Sequence, residues 1–159
     1  MVCKYWKTII VIISFGIILC ASSCSLLGTE TKEIERKVTK ADVPAAALSS
    51  LKKLADGAEI TEFAEEIDKG NTFYEGSWET SLGIKTDVLV TASGDLVEIE
   101  EQVSENQVPD AVLKLARETA GQGNPLTFEK KTFFLYEVKF EKGNKEHEIL
   151  LTPDARHAE

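Results

Sequence analysis

The sequence predicts an α+β protein built from two tandem repeats, each a helix packed on a small antiparallel β-sheet. Three observations lead there. The chain repeats itself: Val38, Val43, Pro44, Ala46 and Leu48 recur 65 residues later as Val103, Val108, Pro109, Ala111 and Leu113. Tyr74-Glu75-Gly76-Ser77-Trp78-Glu79 returns at an offset of 62 as Tyr136-Glu137-Val138-Lys139-Phe140-Glu141, and Val88-Leu89-Val90-Thr91 at 61 as Ile149-Leu150-Leu151-Thr152. Each copy opens with a helix signal and continues with period-two alternation, the pattern of strands buried on one face. Turns rich in Gly and Asn separate those strands, which calls for hairpins.

Residues 1–23 read as a signal peptide of the lipoprotein type. Lys4 and Lys7 precede an apolar run from Ile9 to Leu19, and Ala21, Ser22 and Ser23 follow as a small-residue cleavage site. The run is shorter than the roughly 20 apolar residues that a spanning helix needs, so an uncleaved anchor is the second choice. Ala21-Ser22-Ser23-Cys24 resembles a bacterial lipobox, with Ala21 where that motif prefers Leu. The resemblance implies acylation of Cys24, which makes the membrane a partner through an N-terminal lipid. Ser25 after the cysteine resembles the outer-membrane sorting signal on the periplasmic side of the envelope; secretion after plain cleavage is the alternative.

Residues 24–37 lack a core pattern and read as a polar tether. Repeat one then spans 38–102 and repeat two 103–159. Pro44 and Pro109 suit a first helical turn and Gly57 and Gly121 an exit. Ala47, Leu48, Leu51, Leu54 and Ala55 form one apolar stripe; Val112, Leu115, Ala116 and Thr119 form a thinner one. In the strands, Tyr74, Gly76 and Trp78 face one way, as do Tyr136, Val138 and Phe140, which predicts Trp78 and Phe140 as core. His147 shares the phase of Ile149 and Leu151 and reads as a half-buried structural histidine. In repeat two Thr152-Pro153-Asp154-Ala155-Arg156 replaces Thr91-Ala92-Ser93-Gly94-Asp95, and too little chain follows for a full last strand.

A helix opening on Val43-Pro44, a strand bearing Tyr74-Glu75 and an apolar strand Val88-Leu89-Val90-Thr91 entering Ser93-Gly94-Asp95 resemble the PepSY-like domains related to β-lactamase-inhibitor folds. Val108-Pro109, Tyr136-Glu137 and Ile149-Leu150-Leu151-Thr152 carry the same resemblance in repeat two. It implies a helix on one face of each small sheet, and binding and inhibition, especially of proteases outside the cytoplasm.

Composition narrows the chemistry. Eighteen basic against 27 acidic residues give a net charge of −9, which disfavours nucleic acid as partner. Cys3, Cys20 and Cys24 all precede the repeats, and His147 and His157 are ten residues apart, so thiolate chemistry and a multi-histidine metal site are excluded. Glu98, Glu100 and Glu101, with Glu65, Glu66 and Asp68, read as solvated strand faces. Asp68 to Glu79 has the length of a calcium loop, but Phe73 stands where glycine is required. The expectation is a non-enzyme without cofactor or metal.

Leu89 and Leu150 occupy equivalent positions on the face away from the helices. Ringed by Glu75, Glu79, Asp87, Glu137 and Lys139, they form a candidate partner-binding face with an apolar centre inside a polar rim. The function expected is an exported, lipid-anchored, non-catalytic binding module that modulates or inhibits an extracytoplasmic protein such as a protease. The alternative is a structural cell-envelope lipoprotein that assists assembly or binds wall polymer.

Overall fold

The computed structural model describes residues 34–121 and 123–158. The expected signal peptide, Cys24 and the expected tether up to residue 33 lie outside the described residues. Strand dominates: β1 (Ile34–Val38), α1 (Ala45–Leu54), β2 (Glu62–Asp68), β3 (Asn71–Glu79), β4 (Lys85–Thr91), β5 (Leu96–Val103), a 3₁₀ turn (Glu105–Gln107), α2 (Asp110–Ala120), β6 (Phe128–Phe133), β7 (Tyr136–Glu141) and β8 (Glu146–Leu151). Strands β1 to β6 form one antiparallel sheet in sequence order, and β7 and β8 form a separate two-stranded ribbon.

Helix α1 and the sheet beneath it form the core. Pro44 starts the helix, and Lys52 and Lys53 in its last turn complement the helix dipole. Ala47, Leu51 and Ala55 are buried against Trp78, Val88 and Val90. Two glycines set how closely the helix approaches. A Cβ on Gly76 would lie 3.2 Å from Leu51 Cδ1, and one on Gly94 would lie 2.6 Å from Ser50 Oγ and 2.8 Å from the Ala46 carbonyl oxygen. Gly94 also has φ +89°, the left-handed region that glycine enters without penalty.

The expectation of two helix-on-sheet units is overturned: the molecule is mostly β, with one long sheet, one ribbon and one packed helix among the described residues. Helix α2 buries none of its residues; Val112 is 51% exposed and Leu115 65%. Phe140, expected in a core, is 40% exposed, and His147 is exposed and stacks on it with ring centroids 5.4 Å apart.

The pairing registers of the strands nevertheless follow the sequence offsets. Val38 opposite Phe63 and Arg36 opposite Glu65 become, 65 residues on, Val103 opposite Phe128 and Glu101 opposite Lys130. Tyr74 opposite Val90, Gly76 opposite Val88 and Trp78 opposite Thr86 become Tyr136 opposite Leu151, Val138 opposite Ile149 and Phe140 opposite His147. One pairing is missing. In copy one β2 and β3 are joined through Lys69 and Gly70, both with positive φ, 49° and 84°, as a tight two-residue hairpin requires. In copy two the offset falls from 65 to 62 at this point, so β6 runs into β7 through Phe134 and Leu135, neither with positive φ. Without that turn β7 cannot fold back on β6, and the ribbon leaves the sheet. The seats of the helix are filled as well: Val138 stands at the place of Gly76 and Ala155 at that of Gly94.

The first repeat also begins earlier than its pattern suggests. Ile34 to Lys37, assigned to the tether, form most of edge strand β1, whose residues are exposed apart from the half-buried Val38. The strand is held by backbone pairing and by ion pairs of Arg36 with Glu65, at 2.8 Å, and of Lys37 with Glu62. Charged edges of this kind carry no hydrophobic signal.

Candidate functional site

Alternation along β2 to β6 gives the six-stranded sheet a second face, turned away from α1. Cross-strand partners place Ala64, Glu75 and Leu89 side by side on it, and beside them Ser77 opposite Asp87 and Glu79 opposite Lys85. Strands β5 and β6 extend the same face with Glu98 and Glu100, opposite Phe133 and Lys131. The central strands form a groove of about 680 Å³ lined by Glu35, Glu62, Glu75, Glu79, Asp87, Glu100 and Glu129, with Lys85 and Lys131 as its cations.

Glu75 stands at the middle of this groove. Burial pushes its carboxyl up to about 7, the neighbouring Asp87, Glu35 and Glu100 carboxylates add to the shift, and the Ser77 hydroxyl donating at 3.4 Å opposes it. Burial also raises Glu98 above the usual carboxylate range, against the pull of Lys131 at 3.3 Å. For Lys131, burial disfavours the charge, but Glu100 and Glu98 outweigh it and hold the ammonium above the usual lysine range. The face therefore presents a surplus of carboxylate with one firmly charged lysine near its β6 edge. Among the described residues no group of three or more His, Cys, Asp or Glu side chains converges as metal ligands would.

Of the residues singled out in the sequence, Glu75, Glu79, Asp87 and Leu89 share this face. Glu137, Lys139 and Leu150 repeat their arrangement on the ribbon, with Glu137 opposite Leu150 and Lys139 Nζ 2.7 Å from Glu137. The ribbon and the sheet share no strand pairing, so the seven residues form two patches rather than one continuous sheet face. Leu89 is also not exposed as expected: only 7% of it meets solvent, whereas Leu150 is 41% exposed.

The chain's own C-terminal turn lies beside Leu89, lining one cavity with it, and covers the neighbouring Phe73. Arg156 places Nη1 3.0 Å from Asp68 Oδ2 and its guanidinium carbon 5.6 Å from the centre of the Phe73 ring, and Phe73 is only 2% exposed. Asp154 pairs with the other side of the same guanidinium. The sequence carried signals for several residues not singled out. Ile34-Glu35-Arg36-Lys37-Val38 matches Ile99-Glu100-Glu101-Gln102-Val103 at the same offset of 65, which would have added Glu35 to the face. Phe73 is an apolar side chain in the phase of Glu75, and such a misfit in a polar row asks for a cover. Nothing in the strand pattern marks Lys131 as a neighbour of Glu98, because that contact depends on β6 joining the first sheet.

No protein-family model matches the chain, and no curated protein matches it.

Proposed function

We propose that the protein is an exported, non-catalytic binding module, held to the membrane by lipid on Cys24, that modulates or inhibits an extracytoplasmic protein such as a protease. Its contact surface is the open face of the six-stranded sheet. The observation that carries this reading is the acidic groove on that face, on the side of the sheet opposite α1. Carboxylates attract a basic partner over distance, and the partly desolvated centre around Glu75 strengthens whatever pairs with it. The PepSY-like motifs Val43-Pro44, Tyr74-Glu75 and Gly94-Asp95 support binding over catalysis.

The test is capture from envelope extract by the full chain and by a Glu79→Lys, Asp87→Lys double variant. Trp78, on the opposite face, reports by its fluorescence whether the variant is folded. A protein retained by the wild type, lost by the folded variant and released by moderate salt is the expected result. Equal capture by both forms moves the contact surface elsewhere. Cys24→Ser should in turn shift the protein from the membrane fraction to the soluble one.

A further inference from the structure

Phe73 and Leu89 lie on the face turned away from α1, yet they are as buried as the core. Over Phe73 lies a single tight turn of the same chain, whose Thr152 and Arg156 line one cavity with Leu89. In that turn Thr152 N–H donates to the Arg156 carbonyl at 2.9 Å, Arg156 N–H to Thr152 Oγ1 at 3.1 Å, and Ala155 N–H to the Thr152 carbonyl at 2.9 Å. The same three bonds close the turn from Thr91 to Asp95, at 2.9, 3.0 and 2.9 Å. The two turns are therefore one device used twice, with its last residue changed from an acid to a base. The base is the residue that meets the acidic sheet.

We propose that Phe73, Leu89 and Asp68 form a socket for an arginine carried on a tight turn, filled at rest by the chain's own Arg156, and that a protein partner enters by presenting an arginine of its own. The proposal rests on the reading of the open face as the contact surface and names what that surface recognises. A guanidinium suits the socket because it is flat enough to lie on the Phe73 ring while its edge meets the Asp68 carboxylate. The seat is reachable: the Arg156 and Asp68 side chains remain 27% and 30% exposed, so a competing guanidinium in solution can meet the Asp68 carboxylate. No strand pairing fastens the ribbon behind the turn to the six-stranded sheet. The socket is also larger than its occupant. A cavity of about 400 Å³ beside the turn runs from Phe73 and Leu89 to Phe133 and Lys131, leaving room for the residues flanking an incoming arginine. Charge complementarity selects the partner: an arginine-bearing loop approaches across a groove dominated by carboxylates.

The experiment uses the full chain, isotopically labelled, and follows the amide signals of Asp68, Phe73 and Leu89. Arg156→Ala should move these three signals and leave those of Val88 and Trp78 in place. A synthetic peptide of residues 150–158 should return them toward their original positions in a saturable manner. Its Arg156→Ala counterpart should not, and the wild-type chain should bind the peptide at least tenfold more weakly because its own arginine competes. Signals unmoved by Arg156→Ala, or equal effects of the two peptides, would overturn the socket. Signals that move in the wild type with protein concentration alone would overturn the intramolecular seat, since a second copy would then supply the arginine. If Arg156→Ala disturbs the Trp78 signal, Arg156→Gln keeps the side-chain length while removing the charge and is read by the same criteria. The assay contains no envelope partner, so its failure leaves the open face standing as a contact surface, and failure of the capture experiment leaves the socket standing.

Discussion

The hairpins β3–β4 and β7–β8 pair residue for residue, but a helix lies on the first and none of the described helices lies on the second. Gly76 opposite Val88 and Trp78 opposite Thr86 correspond to Val138 opposite Ile149 and Phe140 opposite His147. Strand pairing depends on backbone geometry and alternation, and both survive in copy two. Helix seating depends on a few places where one backbone must approach another. There copy two has Val138 for Gly76, Ala155 for Gly94, and no residues to match Lys69, Gly70 and Asn71. These changes, together with Ala116 at the place of the buried Leu51, separate a helix that makes a core from one whose apolar stripe meets solvent.

The largest effect that tests this contrast comes from its aromatic pair. Trp78 is 6% exposed under α1 and Phe140 is 40% exposed on the ribbon. Trp78→Ala should cost about 3 to 5 kcal/mol in a denaturant melt, the range for truncating a buried aromatic. Phe140→Ala should cost about 0.5 kcal/mol, as a surface substitution does. Equal costs would mean that the ribbon is packed in solution and that the two copies do not differ.

The seats of the helix come next in size. Gly94→Ala introduces a Cβ 2.8 Å from the Ala46 carbonyl oxygen, a backbone atom that can retreat only if α1 moves. Together with the left-handed φ this should cost about 3 kcal/mol. Gly76→Val meets the flexible ends of Leu51 at 3.2 and 3.3 Å and should cost about 1 to 3 kcal/mol. The reverse change in copy two should have the opposite sign. Ala155 already sits at φ +64°, so Ala155→Gly relieves strain and should stabilise by up to about 1 kcal/mol. Thermal melts of the three variants, compared at one pH, check both signs.

These contrasts also explain which parts of the fold could be read from the chain. Alternation made the hairpin strands β3, β4, β7 and β8 legible but not the charged edge strand β1, and Pro44 and Pro109 marked the helix starts, because each is a local consequence of backbone chemistry. The repeat was legible down to the shrinking offset. Its meaning was not, since the loss of three residues reads equally as a shorter loop or as a missing turn until the φ angles at Lys69 and Gly70 show what the turn required. The open face was half legible. Glu75, Glu79, Asp87 and Leu89 follow from strand phase, whereas Lys131 and Arg156 reach the face through long-range contacts that no periodicity encodes.

The smallest effect concerns Glu75 and its counterpart Glu137. In the folded chain the Glu75 carboxyl titrates near 7, mainly because burial disfavours its charge, and in the unfolded chain it returns to the ordinary 4.5. Between those values the folded state holds a proton that the unfolded state has released. Stability from this group therefore declines as pH rises from 4.5 to 7 and is level above that. Glu75→Gln removes the charge, so it should leave stability unchanged at pH 4 and raise it at pH 8. The gain should be on the order of 1 kcal/mol, reduced by the part of the side chain that water still reaches. Glu137 is exposed and paired with Lys139 at 2.7 Å, and Glu137→Gln should alter stability by less than about 0.5 kcal/mol at either pH. Urea melts of both variants at the two pH values decide it. A Glu75→Gln gain of the same size at pH 4 and pH 8 would show that the substitution acts through packing, and the acidic groove would then carry no buried charge at its centre.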